Sequence, residues 1–345
     1  MPPVLPLSAP SPARPAVHSA ADGQGFRSEL VCDPSPTSRD DRTDVPQSGG
    51  GNPLPESGPE PSVARGVSDR RQKKPGWPPE WPGDLRATLA RLVPEGRAVQ
   101  PLPGGRSNQV VRVGDLVVKI HLPETASPLF PNDPGAETRA LRLLGPLGLA
   151  PCLRASGPGW LCYDHLEGVS WRRDPSAAAL ALRRLHALAP VPEQFRPLPS
   201  GTLMLRRDAG RVAKGLDGLP ALPATPELPP AARPALVHGD AVPGNLIESP
   251  TGVRAIDWQC PGLGDPVDDL AAFLSPAMQA LYRGRPLDGG EREAFLSAYG
   301  SGGTVGRYRA LAPLLHWRIA AHCLWRARRG DPGYAQAFAL ECALL

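Results

Sequence analysis

Residues 236–247 read LVHGDAVPGNLI, and residues 253–259 read VRAIDWQ. In the first stretch, Asp240 and Asn245 lie between two apolar pairs, and in the second, Asp257 ends a short apolar run. The apolar segments predict buried strands, and the Gly- and Pro-containing segment between them predicts a loop. We therefore expect polar side chains from one loop and one adjacent strand to converge.

Three oxygen-bearing side chains at one place are the arrangement that phosphoryl transfer requires. The attacking hydroxyl needs an oriented carboxylate, and the metal ions need separate oxygen ligands close beside it. In this interpretation Asp240 orients the acceptor hydroxyl and accepts its proton, while Asn245 and Asp257 hold Mg²⁺. Hard oxygen ligands with open water positions suit that ion.

The H-G-D-x-x-x-x-N pattern of residues 238–245 and the I-D-W of residues 256–258 resemble the aminoglycoside phosphotransferase and choline kinase superfamily. The acidic segment GDPVDDLAAF, residues 264–273, is similar to the one that follows the metal-binding aspartate there. The resemblance implies an α+β, bilobal protein-kinase-like fold, with a small β-rich N-lobe and a larger, mainly helical C-lobe. It also implies ATP and Mg²⁺ as cofactors.

The resemblance further implies a lysine on the third strand and a helical glutamate that pairs with it. Lys119 lies within LVVKIH, in a chain that has 34 Arg and only four Lys. An arginine would be too bulky, and its charge too delocalised, to act as a point donor to phosphates. Glu137 is positioned to face Lys119, although as a first-turn acid it could instead serve the helix dipole.

The loop at residues 103–113, PGGRSNQVVRV, is neither a full G-x-G-x-x-G nor a Walker loop. Ser107 and the backbone N–H groups near it could still contact the phosphates of the nucleotide. Residues 163–168 fall where the superfamily has its interlobe hinge, so their backbone groups are expected to meet the adenine edge.

Short β-branched runs separated by turn residues predict three antiparallel strands within residues 97–121. Helical spacing of apolar residues, with start signals, predicts helices at residues 134–144 and 174–188. Residues 151–156 and 159–168, between these helices, have the composition of strands.

Composition divides the chain into three regions. Residues 1–76 contain 14 Pro, 10 Ser, 8 Gly and one aromatic residue, which is too little apolar surface to offset chain entropy, so this tail is predicted to be disordered. It is either an interaction segment or an inert extension. Residues 77–168 are predicted to form the N-lobe, with the nucleotide-binding sheet, and residues 169–345 the helical C-lobe, with the catalytic loop and acceptor site.

Charge and hydropathy argue against several classes of protein. The net charge of +4 is small and dispersed, which gives little support for nucleic-acid binding. No run of about 18 apolar residues occurs, so we expect no membrane association and a cytoplasmic location. The six cysteines show no C-x-x-C pair or zinc spacing, which predicts neither disulfides nor a zinc site. No protein partner is evident.

Asp265 and Asp269 each stand at a predicted helix start, where capping carboxylates are common, and we interpret both as structural support for the catalytic loop. Val242 occupies a position that is commonly lysine in protein kinases. Asp257 is also followed too closely by the next helix for a long activation loop. These departures favour a small-molecule kinase over a protein kinase.

The sequence does not identify the molecule that accepts the phosphoryl group. From Arg283 to the C-terminus the chain has nine Arg, no Lys and five acids. If these helices line the cleft, a polycationic aminoglycoside would be repelled and a neutral or anionic metabolite favoured. Alternatively, Trp317 and Trp325, on one helix face with Ala321, could form an aromatic wall for choline or thiamine, although such a stripe is more often part of a core.

The sequence therefore predicts an ATP- and Mg²⁺-dependent kinase of a small hydroxylated molecule. A metabolite such as choline, thiamine or a sugar fits better than an aminoglycoside. The alternative is a catalytically idle kinase-fold protein that binds a nucleotide or serves as a scaffold. The intact set of Lys119, Asp240, Asn245 and Asp257 argues against that alternative.

Deletion of residues 1–76 is expected to leave the melting temperature and the affinity for ATP nearly unchanged, because this segment has no apolar periodicity with which to dock. Thermal unfolding with and without ATP measures both quantities. A fall of several degrees on truncation would show that the segment packs against the lobes.

Overall fold

The computed structural model describes residues 77–94, 96–102, 107–189 and 194–345. The predicted disordered tail, residues 1–76, and the glycine pair at 104–105 lie outside the described residues.

The first part of the described chain is built on a five-stranded antiparallel sheet with strand order β1-β2-β3-β5-β4. Its strands are β1 (Val99–Pro101), β2 (Asn108–Val113), β3 (Leu116–His121), β4 (Leu153–Gly157) and β5 (Trp160–Asp164). Lys119 lies on β3 opposite Leu161 of β5, so it is in the middle of the sheet.

Two helices cover this sheet. Helix α1 (Gly83–Leu92) buries Leu85 and Leu89 in an apolar cluster with residues of β2, β3 and β5. Helix α2 (Pro134–Leu144) begins at Asp133, whose side chain accepts a hydrogen bond from Ala136 N (2.9 Å). This cap helps to fix the start of the helix that carries Glu137.

The second part of the described chain is mainly helical. Its helices are α3 (Pro175–His186), α4 (Thr202–Val212), α5 (Val267–Leu274), α6 (Pro276–Arg283), α7 (Gly289–Tyr299), α8 (Gly302–Ala327) and α9 (Tyr334–Cys342). Its short strands are β6 (Val169–Ser170), β7 (Ala235–Val237), β8 (Leu246–Ser249), β9 (Gly252–Ala255) and β10 (Gly262–Gly264). These strands form two small antiparallel sheets, β6-β8-β9 and β10-β7.

The large core lies around α8, which packs against α4, α5 and α9. The same core reaches the inner face of the first sheet through Val117, Leu161 and Tyr163. The β7 and β9 strands end at the junction between these two parts, so the segments that follow them lie beside the sheet.

The structure confirms the three antiparallel strands expected within residues 97–121, the two strands before α3, and both predicted helices. Asp174 caps α3 through Ser176 N (2.9 Å), as its sequence context predicts. The boundary between lobes near residue 168 stays a prediction.

The expectation of no disulfide is wrong for Cys152, which is disulfide-bonded. Cys162, Cys260, Cys323 and Cys342 are free thiols. Disulfide pairing depends on the distance between two cysteines in the folded chain, and spacing along the sequence does not reveal that distance.

Within the residues that the structure describes, no helix is both long and apolar enough to cross a bilayer.

A buried polar cluster joins α6, α8 and α9. Glu341, which is fully buried, accepts hydrogen bonds from Ser275 Oγ (2.7 Å) and Ala277 N (3.1 Å). Its second oxygen lies 2.5 Å from His316 Nδ1, whose other nitrogen meets Tyr308. One carboxylate thus holds the start of α6 and the middle of α8 together.

The Glu341→Ala variant is expected to lower the free energy of unfolding by about 3 kcal/mol, because several buried donors lose their acceptor. Urea unfolding measures this change. The matched control is Glu293→Ala, which removes only an exposed pair with Arg309 and should cost less than about 1 kcal/mol. Equal losses in the two variants would contradict the role assigned to Glu341.

Candidate functional site

The loop after β7 holds Asp240 and Asn245 together. Asn245 Nδ2 donates to the backbone oxygen of Asp240 (2.9 Å) and to its carboxylate Oδ2 (3.1 Å). A further bond from Val242 N to Asp240 O (2.8 Å) closes the turn. The loop therefore orients the Asp240 side chain before any ligand binds.

Asp269 supports this loop from the side of the core. Its carboxylate accepts hydrogen bonds from His238 N (2.7 Å) and Gly239 N (2.8 Å), and His186 Nε2 lies 2.9 Å from it. Burial opposes the charge of Asp269, but His186 and His238, the latter also through its backbone N–H, lower its pKa. Asp269 thus supports the catalytic loop as the sequence indicates, but through direct hydrogen bonds to the loop instead of a helix cap.

Asp265 also has a structural role. Arg307 Nε donates to Asp265 Oδ2 (2.5 Å), and Val267 N makes a long bond of 3.4 Å to the other oxygen. Asp265 therefore ties α8 to the start of α5.

Gly239 is required by the backbone. Its φ is +75°, and a Cβ at this position would lie 2.3 Å from the carbonyl oxygen of Cys260. Only glycine fits both the left-handed conformation and the close contact.

Asp257, Lys119 and Glu137 form a chain of charges beside Asp240. Lys119 Nζ lies 2.7 Å from Glu137 Oε2 and forms a second, very short ion pair with Asp257. Glu137 Oε1 also accepts a hydrogen bond from Trp258 N (3.2 Å). Asp257 has a φ of +63°, which is unusual for a residue other than glycine and points to a functional constraint on its backbone.

The shared burial of these groups perturbs their acidity. Burial opposes the charge of Lys119, but Asp257 and Glu137 raise its pKa, so it stays protonated. Burial raises the pKa of Glu137 to about 7, although Lys119 opposes the change. Burial, followed by the negative charge of Asp257, raises the pKa of Asp240 to about 8. A cation bound among these carboxylates would offset the last two changes.

A cavity of about 540 Å³ opens between the sheet and the second part of the chain. Lys119, Asn245 and Asp257 lie at one end, and the expected hinge segment contributes Tyr163 and His165. Apolar side chains from both parts of the chain form its walls, namely Leu102, Val110, Val117, Ile247 and Ile256. A cavity with apolar walls and a buried lysine among its lining residues has the chemistry for a nucleotide.

Ser107 and Asp240 line a smaller pocket on the other side of the site, which we call the Asp240 pocket. Tyr282 lines both this pocket and the 540 Å³ cavity, and it packs so closely on Gly244 that a Cβ there would lie 2.4 Å from the ring. Ser107 thus lines the same pocket as Asp240 and is not among the residues that line the larger cavity.

Gln259, Tyr282, His322 and Arg326 are site residues that the sequence analysis did not find. Gln259 directly follows the I-D-W motif, which could have indicated it. The other three lie on α6 and α8 without any motif, and only the packing of those helices brings them to the Asp240 pocket.

The C-terminal arginines do not line the cleft as a group. Four of the nine are in ion pairs elsewhere, such as Arg285 with Glu291 and Arg309 with Glu293. Arg326 is the one that reaches the Asp240 pocket. Helical spacing shows which side chains share a face, but not what that face contacts.

The aromatic wall is also absent among the described residues. Trp317 is 6% exposed and belongs to the core, where its Nε1 donates to Pro220 O (2.9 Å). The guanidinium of Arg329 lies 3.5 Å from the ring centroid of Trp325. The core interpretation is therefore the correct one for Trp317.

The donor set at Asn245 and Asp257 fits a magnesium ion. Asn245 uses its amide nitrogen on Asp240, which leaves its side-chain oxygen available. In the described part of the chain no three His, Cys, Asp or Glu side chains gather into a metal site. Mg²⁺ does not need such a cluster, since it usually takes one or two carboxylates together with phosphates and water.

A model of the phosphotransferase enzyme family matches residues 98–314, which is more than half of the chain. None of the curated proteins matches the sequence as a relative.

Solved kinase structures are similar in fold. A choline/ethanolamine kinase family protein from Mesorhizobium loti is 20% identical with a TM-score of 0.56, covering 76% of this chain and 93% of its own. Choline kinase LicA from Streptococcus pneumoniae is 19% identical with a TM-score of 0.51, and the match covers 75% of this chain and 98% of LicA. A choline kinase from Cryptosporidium parvum is 14% identical with a TM-score of 0.51, and the match covers 72% of this chain and 88% of that kinase. These similarities confirm the α+β, bilobal protein-kinase-like fold.

The Asp269→Ala variant is expected to loosen the catalytic loop, because His238 N and Gly239 N lose their acceptor in a buried place. Hydrogen exchange of these two amides should accelerate, and the free energy of unfolding should fall by about 3 kcal/mol. Asp269→Asn keeps one acceptor oxygen, so its exchange rates and its free energy of unfolding should lie between those of Asp269→Ala and those of the natural protein. Unchanged exchange in Asp269→Ala would contradict the supporting role.

Proposed function

Because the chain belongs to the phosphotransferase enzyme family, we propose that it transfers the γ-phosphoryl group of ATP to a hydroxyl group of a small molecule. One observation carries the proposal. Three separate segments, β3, the loop after β7 and the residues after β9, meet around one cleft and bring to it Lys119, Asp240, Asn245 and Asp257. This is the set of groups that positions a phosphate, a metal ion and an attacking hydroxyl.

The nucleotide would occupy the 540 Å³ cavity. Its base would lie between the apolar walls next to the hinge, and its phosphates would extend toward Lys119. Lys119 is already held by Glu137, so its ammonium group needs no reorganisation when the phosphates arrive. Ser107, on the far side of the site, is proposed to contact the terminal phosphate.

Magnesium would be held by Asn245 and Asp257, and it would supply neutralising charge to the phosphates. The chain's own contribution is to keep these oxygens in place. The hydrogen bond from Asn245 to Asp240 links the metal ligand to the base, and the ion pair with Lys119 orients Asp257.

Asp240 is the proposed catalytic base. Its carboxylate faces the Asp240 pocket, where the acceptor hydroxyl would lie, and the amide of Asn245 holds one of its oxygens. Asp240 therefore orients the hydroxyl and accepts its proton as the phosphoryl group transfers.

The short segment after Asp257 agrees with a small acceptor. Only a short segment separates Asp257 from the start of α5 at Val267, so no long activation loop lies over the cleft to form a peptide-docking surface. The kinase neighbours named as choline or ethanolamine kinases act on small alcohols, which supports a hydroxyl acceptor. An idle scaffold would not need four intact catalytic side chains.

Asp240→Asn and Asp257→Asn are each expected to reduce kcat by roughly 10²-fold or more, since the base or a metal ligand is lost. Asparagine tolerates the positive φ of residue 257, so the second variant removes charge without adding backbone strain. Asp257→Asn should also weaken Mg·ATP binding, whereas Asp240→Asn should not. ATP turnover against a metabolite library and calorimetric ATP titration measure these effects.

Asp115→Asn is the matched control, because Asp115 lies in the exposed turn between β2 and β3. The kcat of this variant should be unchanged. Near-normal kcat in both site variants, with equal ATP affinity, would overturn the assignment.

A further inference from the structure

A second cavity, of about 390 Å³, lies beside the Asp240 pocket, and we call it the acceptor cavity. Gly239 lines it, directly before Asp240 in the loop. Ser127 and Phe130 line both the acceptor cavity and the Asp240 pocket. The two spaces therefore share a wall, and a molecule whose hydroxyl meets Asp240 lies next to the acceptor cavity.

Four charged side chains of the acceptor cavity neutralise one another. Asp208 forms ion pairs with Arg211 (2.6 Å) and Arg318 (2.6 Å), and Arg318 also pairs with Asp268 (2.9 Å). Two positive and two negative groups are thus balanced. Neither carboxylate is free to bind a cationic ligand without releasing its arginine.

Arg196 is the charged group of this cavity that is not balanced. Within the described chain, its guanidinium donates one hydrogen bond, from Nη2 to Cys260 O (3.2 Å), and it pairs with no carboxylate. The same Cys260 carbonyl touches Gly239, so Arg196 lies next to the catalytic loop. Arg196 is exposed to solvent, and most of the donors of its planar guanidinium remain available to a carboxylate or phosphate group.

The charges of the Asp240 pocket do not favour a cationic acceptor. Asp240 is its sole carboxylate among the described lining residues. The guanidinium of Arg326 already covers the ring of Tyr334, with 5.3 Å to the centroid. A quaternary ammonium group would have to displace Arg326 to reach the face of Tyr334.

The remaining polar groups of the pocket do not add negative charge. Arg326 is paired with Asp331 (2.6 Å), which neutralises it without making the pocket acidic. His322 is buried, and Ser127 Oγ lies 3.1 Å from its Nδ1. Among their described lining residues, the pocket and the cavity thus have one unbalanced cation, Arg196, beyond the catalytic groups.

Resting on the function proposed above, we propose that the acceptor is a small hydroxylated anion whose carboxylate or phosphate group binds Arg196 in the acceptor cavity while its hydroxyl meets Asp240. The same charges disfavour a polycationic or quaternary ammonium acceptor. The shared chemistry is an anionic group that accepts two parallel hydrogen bonds.

Matched pairs of compounds test this proposal on the full-length chain. Glycerate is compared with glycerol, and glucose 6-phosphate with glucose, by calorimetry in the presence of Mg²⁺ and a non-hydrolysable ATP analogue, and by ADP release with ATP. Choline and kanamycin represent cationic acceptors. The first pair tests a carboxylate and the second a phosphate.

In at least one pair the anion is expected to bind about tenfold or more tightly than its neutral partner. Arg196→Gln should remove that preference with the affinity for Mg·ATP unchanged, and Arg196→Lys should keep part of it. Arg184→Gln, which changes an exposed arginine of α3, should keep all of it. The melting temperatures of the variants show that they are folded.

Equal binding within both pairs, tighter binding of choline or kanamycin, or an unchanged preference in Arg196→Gln would each overturn the proposal. Failure of the proposed function is a separate result: Mg·ATP would not bind, or no acceptor would yield ADP. Titrations of the pairs without nucleotide still report the anion preference in that event.

Discussion

A buried lysine between two carboxylates is the interaction on which the site depends. Lys119 is 1% exposed, and burying an ammonium ion costs several kcal/mol unless opposite charges compensate. Glu137 on α2 and Asp257 after β9 supply those charges. Because the three residues come from distant parts of the chain, satisfying one buried charge fixes the sheet, the helix and the loop in a single arrangement.

The catalytic loop is fixed in a different way, by a carboxylate that does not face the cleft. Asp269 accepts two backbone N–H groups of the loop and is held by His186, so it is fully occupied by structural bonds. Asp240 and Asp257 keep oxygens toward the cleft. Burial thus assigns different roles to acidic residues that lie close together, since only those that border a cavity can bind a ligand.

Local motifs explain which parts of the site could be predicted. Asp240, Asn245 and Gly239 lie within one loop, and the I-D-W segment follows a short strand, so spacing along the chain already constrains their geometry. Helices with clear start signals, such as Pro134–Leu144, were also predicted with correct bounds. The same reasoning left open what the arginines and tryptophans of α8 contact, because helical periodicity does not show whether a face meets a cleft, a core or another side chain.

The sequence by itself determined the order of strands and helices, the phosphotransferase loop and the identity of its oxygen-bearing side chains, because these depend on neighbours in the chain. Only the tertiary structure decided which charges are neutralised and which remain. Arg318 and Arg196 are the same residue type, yet one is paired with Asp208 and Asp268 while the other pairs with no described carboxylate. Pairing depends on distances between segments far apart in sequence, and those distances exist only after the helices have packed.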